Sequence, residues 1–158
     1  MTISNVIINR KWVLKERPIG MAMKSDFELQ EEQIDDISEN EIILKNKFIS
    51  FDPTQRGWLN DAPGYLPPVQ IDEVVRAMGV GEVVDSKNDQ YQVGDLVIGF
   101  TGWQTYNKTV PSDTGRFRKL SDKFPIATTL NVLGATGITA YYGMVELGQV
   151  KDGMNVLV

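Results

Sequence analysis

A chain of 158 residues, 42% hydrophobic and 23% charged, can bury a sizeable core as one globular domain or one domain plus part of another. Its net charge of −5, with no block of lysines or arginines, argues against a nucleic-acid or anionic-membrane surface. The absence of both Cys and His excludes disulfides, Cys/His zinc sites, Ser-His-Asp triads and Cys-His dyads.

No apolar run approaches the roughly 20 residues that span a bilayer. The opening Met1-Thr2-Ile3-Ser4-Asn5-Val6 lacks the basic-then-apolar layout of a signal peptide, so the cytoplasm is the expected compartment. No metal site is expected. The acidic residues Glu28, Glu31, Glu32, Asp35, Asp36, Glu39 and Glu41 lack calcium-loop spacing and read as a solvated loop.

In chain order, residues 5–15 carry Val6, Ile7, Ile8, Trp12, Val13 and Leu14, a β-favouring run broken by Pro18-Ile19-Gly20. Residues 27–33 alternate apolar and polar, as a half-exposed strand does. Residues 41–51 predict a longer strand, with Ile43 and Ile49 on one face and Leu44, Phe48 and Ile42 on the other. Residues 53–68, rich in proline and glycine, predict an irregular loop. Residues 73–86 return to a β pattern in which Gly79 and Gly81 mark a bulge or sharp bend, where a side chain would obstruct a neighbour. Leu96-Val97-Ile98-Gly99-Phe100, the alternating residues 103–110 and the short residues 117–120 complete the strands. Many short strands separated by turn signals imply a partly open β-barrel. From Ile126 the period becomes helical, with Leu130, Leu133, Gly137, Tyr141, Met144 or Val145, and Gly148 recurring on one side. The closing Asn155-Val156-Leu157-Val158, after Lys151-Asp152-Gly153-Met154, reads as the first strand of a doubly wound nucleotide-binding sheet, with no glycine-rich turn after it.

Six motifs then occur in order: Asp52-Pro53-Thr54-Gln55-Arg56-Gly57-Trp58, Tyr65-Leu66-Pro67-Pro68-Val69, Gly79-Val80-Gly81-Glu82-Val83-Val84, Gly94-Asp95-Leu96-Val97, Thr101-Gly102-Trp103-Gln104-Thr105-Tyr106 and Leu133-Gly134-Ala135-Thr136-Gly137-Ile138-Thr139-Ala140-Tyr141. Together they resemble the N-terminal part of the zinc-independent medium-chain dehydrogenase/reductases, in the branch of leukotriene hydroxydehydrogenases, prostaglandin reductases and curcumin reductases. The resemblance implies a mainly β fold with some α: a GroES-like, partly open barrel over residues 1–128, then a connecting helix and the first strand of a truncated Rossmann domain over residues 129–158. It also implies NADPH as cofactor and an enone or alkenal as small-molecule substrate, whose carbon–carbon double bond is reduced. The lack of Cys and His agrees with the zinc-independent branch.

The resemblance places Thr139, Gly137, Thr136 and Tyr141 beside the coenzyme. A helical threonine bonded to the preceding turn is the competing reading of Thr139, and a core aromatic is an equal alternative for Tyr141. Gly134 and Gly137 admit close helix packing or close coenzyme approach. No residue is assigned as catalytic; Tyr65 and Tyr141 are candidates for substrate positioning, and Tyr65, Trp58 and Trp103 for the substrate pocket. Tyr65 reads equally as an aromatic lid, and Trp103 as packing at the domain junction. Asp52 and Arg56 are expected to pair and hold the proline-rich loop. Thr54 stands where many members carry tyrosine, so no tyrosine-dependent role is carried over to it.

The resemblance puts the pyrophosphate turn, the residues for the adenosine 2′-phosphate and a further active-site tyrosine beyond residue 158. The chain is therefore expected to bind NADPH poorly and to turn over no enone by itself. A stand-alone GroES-like binding or assembly module is the alternative. A homodimer covering the apolar end at Val156-Leu157-Val158 is a side expectation.

Overall fold

The computed structural model describes residues 6–112, 115–121 and 123–157. It divides into an N-terminal unit, Met1–Ser121, and a C-terminal unit, Asp122–Val158, a division that precedes the 128/129 boundary read from the sequence.

The N-terminal unit is built of strands. β1 (Ile7–Leu14) pairs antiparallel with β2 (Phe27–Ile34), in register from Ile7 opposite Ile34 to Leu14 opposite Phe27. A five-stranded antiparallel sheet follows, in the order β6 (Tyr106–Thr109), β3 (Ile42–Ile49), β4 (Met78–Ser86), β5 (Leu96–Phe100), β7 (Arg118–Lys119). β1 closes onto this sheet through a cycle of backbone hydrogen bonds. The Trp12 N–H donates to the Trp103 carbonyl (2.8 Å), the Trp103 N–H to Val75 (2.9 Å), and the Val75 N–H back to Trp12 (3.0 Å). Bridges between Lys11 and Gln104 and between Val13 and Val74 extend the seam, giving a partly open barrel.

The core lies in two clusters. Ile42, Leu44, Val83, Tyr91 and Val97 fill one, with Phe117 packed against them. Leu14, Leu59, Val69 and Val75 fill the other, flanked by Phe27, Trp58 and Trp103. Full burial of each such aliphatic side chain contributes about 1.5–3 kcal/mol relative to exposure.

Several local expectations change. In β3, Ile42, Ile43 and Leu44 are all buried, while Phe48 and Ile49 are exposed, so the strand does not present the two alternating faces read from its sequence. Register shifts at Ile43/Leu44 and Asn46/Phe48 interrupt the alternation. The proline-rich stretch is not wholly irregular: Thr54–Trp58 forms a short helix, α1, behind Pro53 at its N-cap, where the fixed φ suits a helix start. The alternating residues 103–110 yield strand only over β6, because residues 101–105 serve the seam.

The C-terminal unit is not one continuous helix. α2 (Ile126–Leu130) ends at Asn131, whose backbone leaves helical geometry, and α3 (Ala135–Tyr141) restarts behind extended Gly134 and runs into a π-helical stretch, Tyr142–Leu147. Among its described residues Thr129 and Gly134 are buried, whereas Leu133, Tyr141 and Val145 are exposed, so the helical repeat faces no core within the unit. The expected closing strand is absent over residues 154–157, which find no pairing partner among the described residues. Val158 and the residues 1–5 of the leader reading lie outside the described residues. No helix among the described residues is long and apolar enough to cross a membrane.

The strand glycines are used for close approach. A Cβ at Gly79 would stand 2.8 Å from the Phe48 carbonyl oxygen and collide with the Thr101 hydroxyl; one at Gly81 would stand 2.9 Å from Leu44 Cβ. Gly57 in α1 faces open space. Gly79→Ala is expected to cost about 1–3 kcal/mol in urea unfolding. Gly57→Ala is expected to be neutral or to stabilise by up to about 1 kcal/mol.

Four carboxyls are held below the usual carboxylate range. Asp95 accepts the Gln92 backbone N–H and the Lys119 ammonium, each at 2.7 Å. Lys11 acts on Glu32, the Ser38 backbone N–H on Glu41, and Lys47 on Glu82. A carboxyl whose pKa is depressed on folding stabilises above its unfolded pKa and loses that contribution as pH falls through the folded one. Thermal stability is therefore expected to decline from about pH 5 downward, and Asp95→Asn to make that decline shallower.

Candidate substrate cavity

The barrel contains an apolar cavity of about 490 Å³. One wall is Ala22, Met23 and Lys24, from the loop between β1 and β2, with Phe27 at the start of β2. The opposite wall is Phe51, Asp52 and Pro53 after β3, continued by Gln55, Arg56 and Leu59. Val75 and Trp103, both members of the backbone cycle, complete the lining. Trp103 is its aromatic centre: Phe51 stacks on it at 5.4 Å and 18°, and Phe27 lies tilted at 5.6 Å. A second hollow of about 570 Å³, lined by Arg10, Trp12, Leu29 and Ile49, shares Phe51 and Trp103 with the first.

Side-chain amides fix the Trp103 loop. Asn46 Nδ2 donates to the Gln104 carbonyl (2.8 Å), Gln104 Nε2 to the Thr101 carbonyl (2.8 Å), and Asn9 Nδ2 to Gln104 Oε1 (2.9 Å). The polar groups of the cavity are largely engaged as well. Gln55, buried, donates to the Ser50 carbonyl (2.8 Å), and the Asp52 carboxylate accepts the Ser50 hydroxyl. Arg56 does not pair with Asp52. Asp52 precedes the helix, and the guanidinium turns to the carbonyls of Pro18 (3.0 Å) and Gly20 (2.7 Å) and to Asn60 Oδ1 (2.6 Å). The arrangement offers an apolar, aromatic-walled space in which Asp52 and Arg56 are already engaged and Lys24 is the remaining charged side chain, suited to a largely apolar molecule. Among the described residues no three His, Cys, Asp or Glu side chains gather as a metal-binding group.

Of the residues expected at a substrate pocket, Trp103 lines this cavity. Trp58 and Tyr65 lie elsewhere as an edge-on pair at 6.3 Å, with Phe100 at 5.9 Å from Trp58 and the Arg76 guanidinium 5.6 Å above its ring. Tyr65 is 70% exposed, and its hydroxyl makes no hydrogen bond among the described residues. Thr136, Gly137, Thr139 and Tyr141 all belong to α3 of the C-terminal unit. Tyr141 is 59% exposed, which sets aside its reading as a core aromatic within the unit. Thr139 is exposed and its hydroxyl does not bond to the preceding turn; Thr129 does so instead, donating to Ile126 at 2.5 Å. The sequence reading missed Met23, Phe27, Phe51 and Val75, which have ordinary strand and loop contexts and meet only through the seam.

The family description for the N-terminal domain of oxidoreductases matches residues 10–117. The chain belongs to the zinc-independent medium-chain dehydrogenase/reductases. It is 38% identical over 151 residues to the NADPH-dependent curcumin reductase of Escherichia coli, covering 95% of this chain and 43% of that protein. It is 31% identical over 157 residues to the NADP(+)-dependent 2-alkenal reductase of Nicotiana tabacum, covering 96% and 45%. The crystal structure of CurA from Vibrio vulnificus superposes with a TM-score of 0.80 at 35% identity, over 92% of this chain and 42% of that one. CurA in complex with NADPH gives the same score at 34% identity, over 91% and 42%. The barrel of this chain is thus GroES-like, and the chain spans less than half the length of these relatives.

Packing separates the roles of the lining residues. Phe51 is 82% exposed and holds its place chiefly by stacking, so Phe51→Ala is expected to cost about 0.5–1.5 kcal/mol. Leu59 is buried in the core beneath the cavity, and Leu59→Ala is expected to cost about 2–5 kcal/mol. Chemical denaturation of the two variants checks the contrast.

Proposed function

We propose that this chain supplies the substrate-side barrel of an NADPH-dependent reductase that saturates the carbon–carbon double bond of α,β-unsaturated ketones and aldehydes. The observation that carries this reading is the apolar cavity built around Trp103, within a barrel related to curcumin and 2-alkenal reductases. A conjugated carbonyl compound is flat and largely apolar, and the Phe27, Phe51 and Trp103 rings match that shape. Their burial of its surface excludes water from the reacting carbons.

The residues of α3 fit a coenzyme. The exposed Thr139 hydroxyl has no hydrogen-bond partner among the described residues, and Thr136, Gly137 and Tyr141 share its helix, so these four residues would hold NADPH. When bound, NADPH supplies the hydride for the β-carbon. The chain's own task is orientation, with a phenol hydroxyl to receive the carbonyl oxygen as negative charge develops there. Tyr65 and Tyr141, exposed phenols that do not line the cavity itself, are the candidates for that donor. The span from 129 onward then serves as the approach to a coenzyme-binding domain.

The test is a chimera in which this chain replaces the matched part of the E. coli curcumin reductase. It is expected to consume NADPH in the presence of an enone, while the isolated chain consumes none. A folded chimera that binds NADPH but leaves every enone untouched would overturn the proposal.

A further inference from the structure

Two arginines tie together, in opposite directions, the segments that carry the cavity's walls. Arg17, on the loop side, donates through Nη1 to the carbonyls of Leu59 (2.8 Å) and Val69 (2.9 Å). Arg56, on the α1 side, donates through Nη2 to Pro18 (3.0 Å) and Gly20 (2.7 Å), and through Nε to Gly20 again (3.1 Å). Each guanidinium thus reaches the segment that carries the other: Arg17 grips Leu59, with Val69 beyond it, and Arg56 grips Pro18 and Gly20.

No backbone–backbone hydrogen bond joins residues 16–26 to residues 51–60 among the described residues. The Met23 wall and the Phe51–Leu59 wall are therefore tied across by these side chains. The Met23 wall is pinned again at its far end, where the buried Asp26 carboxylate accepts the Met23 N–H at 2.7 Å. Gly20, at φ 76°, makes the turn between the two anchors.

We infer that Arg17 and Arg56 form a reciprocal clasp that sets the distance between the two walls and so selects flat, ring-bearing ligands over slender aliphatic ones. They are positioning residues: neither is required to touch the reacting atoms. A planar guanidinium with several fixed donors can bridge two carbonyls, and a lysine ammonium, one compact charge on a flexible stem, cannot hold both in the same geometry. The inference rests on reading the cavity as the substrate's.

The experiment uses the 158-residue chain and two enone probes, benzalacetone with its phenyl ring and mesityl oxide without one, with dissociation constants from ligand-observed NMR. Arg56→Lys and Arg17→Lys are each expected to weaken benzalacetone by about tenfold, the scale of a lost charge-assisted hydrogen bond, and mesityl oxide by less than about twofold. Val83→Ala, in the separate core cluster, lowers stability without touching the clasp and is expected to leave the ratio of the two affinities unchanged. Variants that keep the wild-type ratio, or that weaken both probes in parallel, overturn the clasp while the cavity reading stands. Failure of the wild-type chain to bind either probe overturns the cavity reading itself, and the clasp with it.

Discussion

The cycle of backbone hydrogen bonds among Trp12, Val75 and Trp103 is the constraint on which the barrel and its cavity depend. It joins three segments far apart in sequence, and each residue both donates and accepts once. Such a cycle leaves none of the six backbone groups that it uses unpaired, and an unpaired buried peptide group costs about 1–3 kcal/mol. Neighbouring bonds carry the seam further: the Thr105 N–H donates to Arg10 (2.9 Å) and the Leu14 N–H to Glu73 (3.0 Å). Because Val75 and Trp103 belong both to the cycle and to the cavity lining, closing the barrel and shaping the cavity are one event.

Polar side chains serve the same closure. Asn9, Asn46 and Gln104 direct their amides at the loop carrying Trp103 rather than into the cavity. In a low-dielectric interior such bonds are strong when complete and costly when broken, so they fix one loop conformation among several. The rim is fixed by a different device, the two guanidiniums, because no strand pairing reaches it. The barrel interior is thus held by backbone and amides, its mouth by charge-assisted bonds at the surface.

The strands were legible because β-branched and aromatic runs alternate with strong turn residues. Gln92-Val93-Gly94-Asp95 is an example: Gly94 takes φ 95° and the Asp95 carboxylate accepts the Gln92 N–H, as a turn of that composition does. The strand glycines were legible for the same reason, since Gly79 and Gly81 lie where another backbone or side chain leaves no room. The cavity was less so. Met23, Phe51 and Val75 carry no local mark of function, and only the seam brings them to Trp103. Loop aromatics drew attention to Trp58 and Tyr65, but their rings pair with each other and with Phe100. Sequence spacing suggested Asp52 for Arg56; the carboxylate takes the Ser50 hydroxyl instead, and the longer side chain reaches across to Pro18 and Gly20. The helical repeat after Ile126 was read correctly as helical and wrongly as one continuous element, because Asn131 and Gly134 break it where the period alone shows no interruption.

The engagement of Gln55, Asp52 and Arg56 bears on the kind of chemistry such a barrel can assist, with the buried Trp103 Nε1–H left without a partner among the described residues. Gln55 is committed to Ser50, Asp52 to the same residue's hydroxyl, and Arg56 to the opposite wall. A reaction that needed a strong base at this wall would have to break one of these bonds first. Reduction of a conjugated double bond asks less: two reactants held face to face, water kept away and a hydrogen-bond donor near the carbonyl oxygen. On the proposed reading, the Phe27, Phe51 and Trp103 rings serve the first two demands by packing on the substrate. On the proposed reading the chain's lack of histidine is no handicap, since the barrel's part is orientation of the substrate rather than proton traffic.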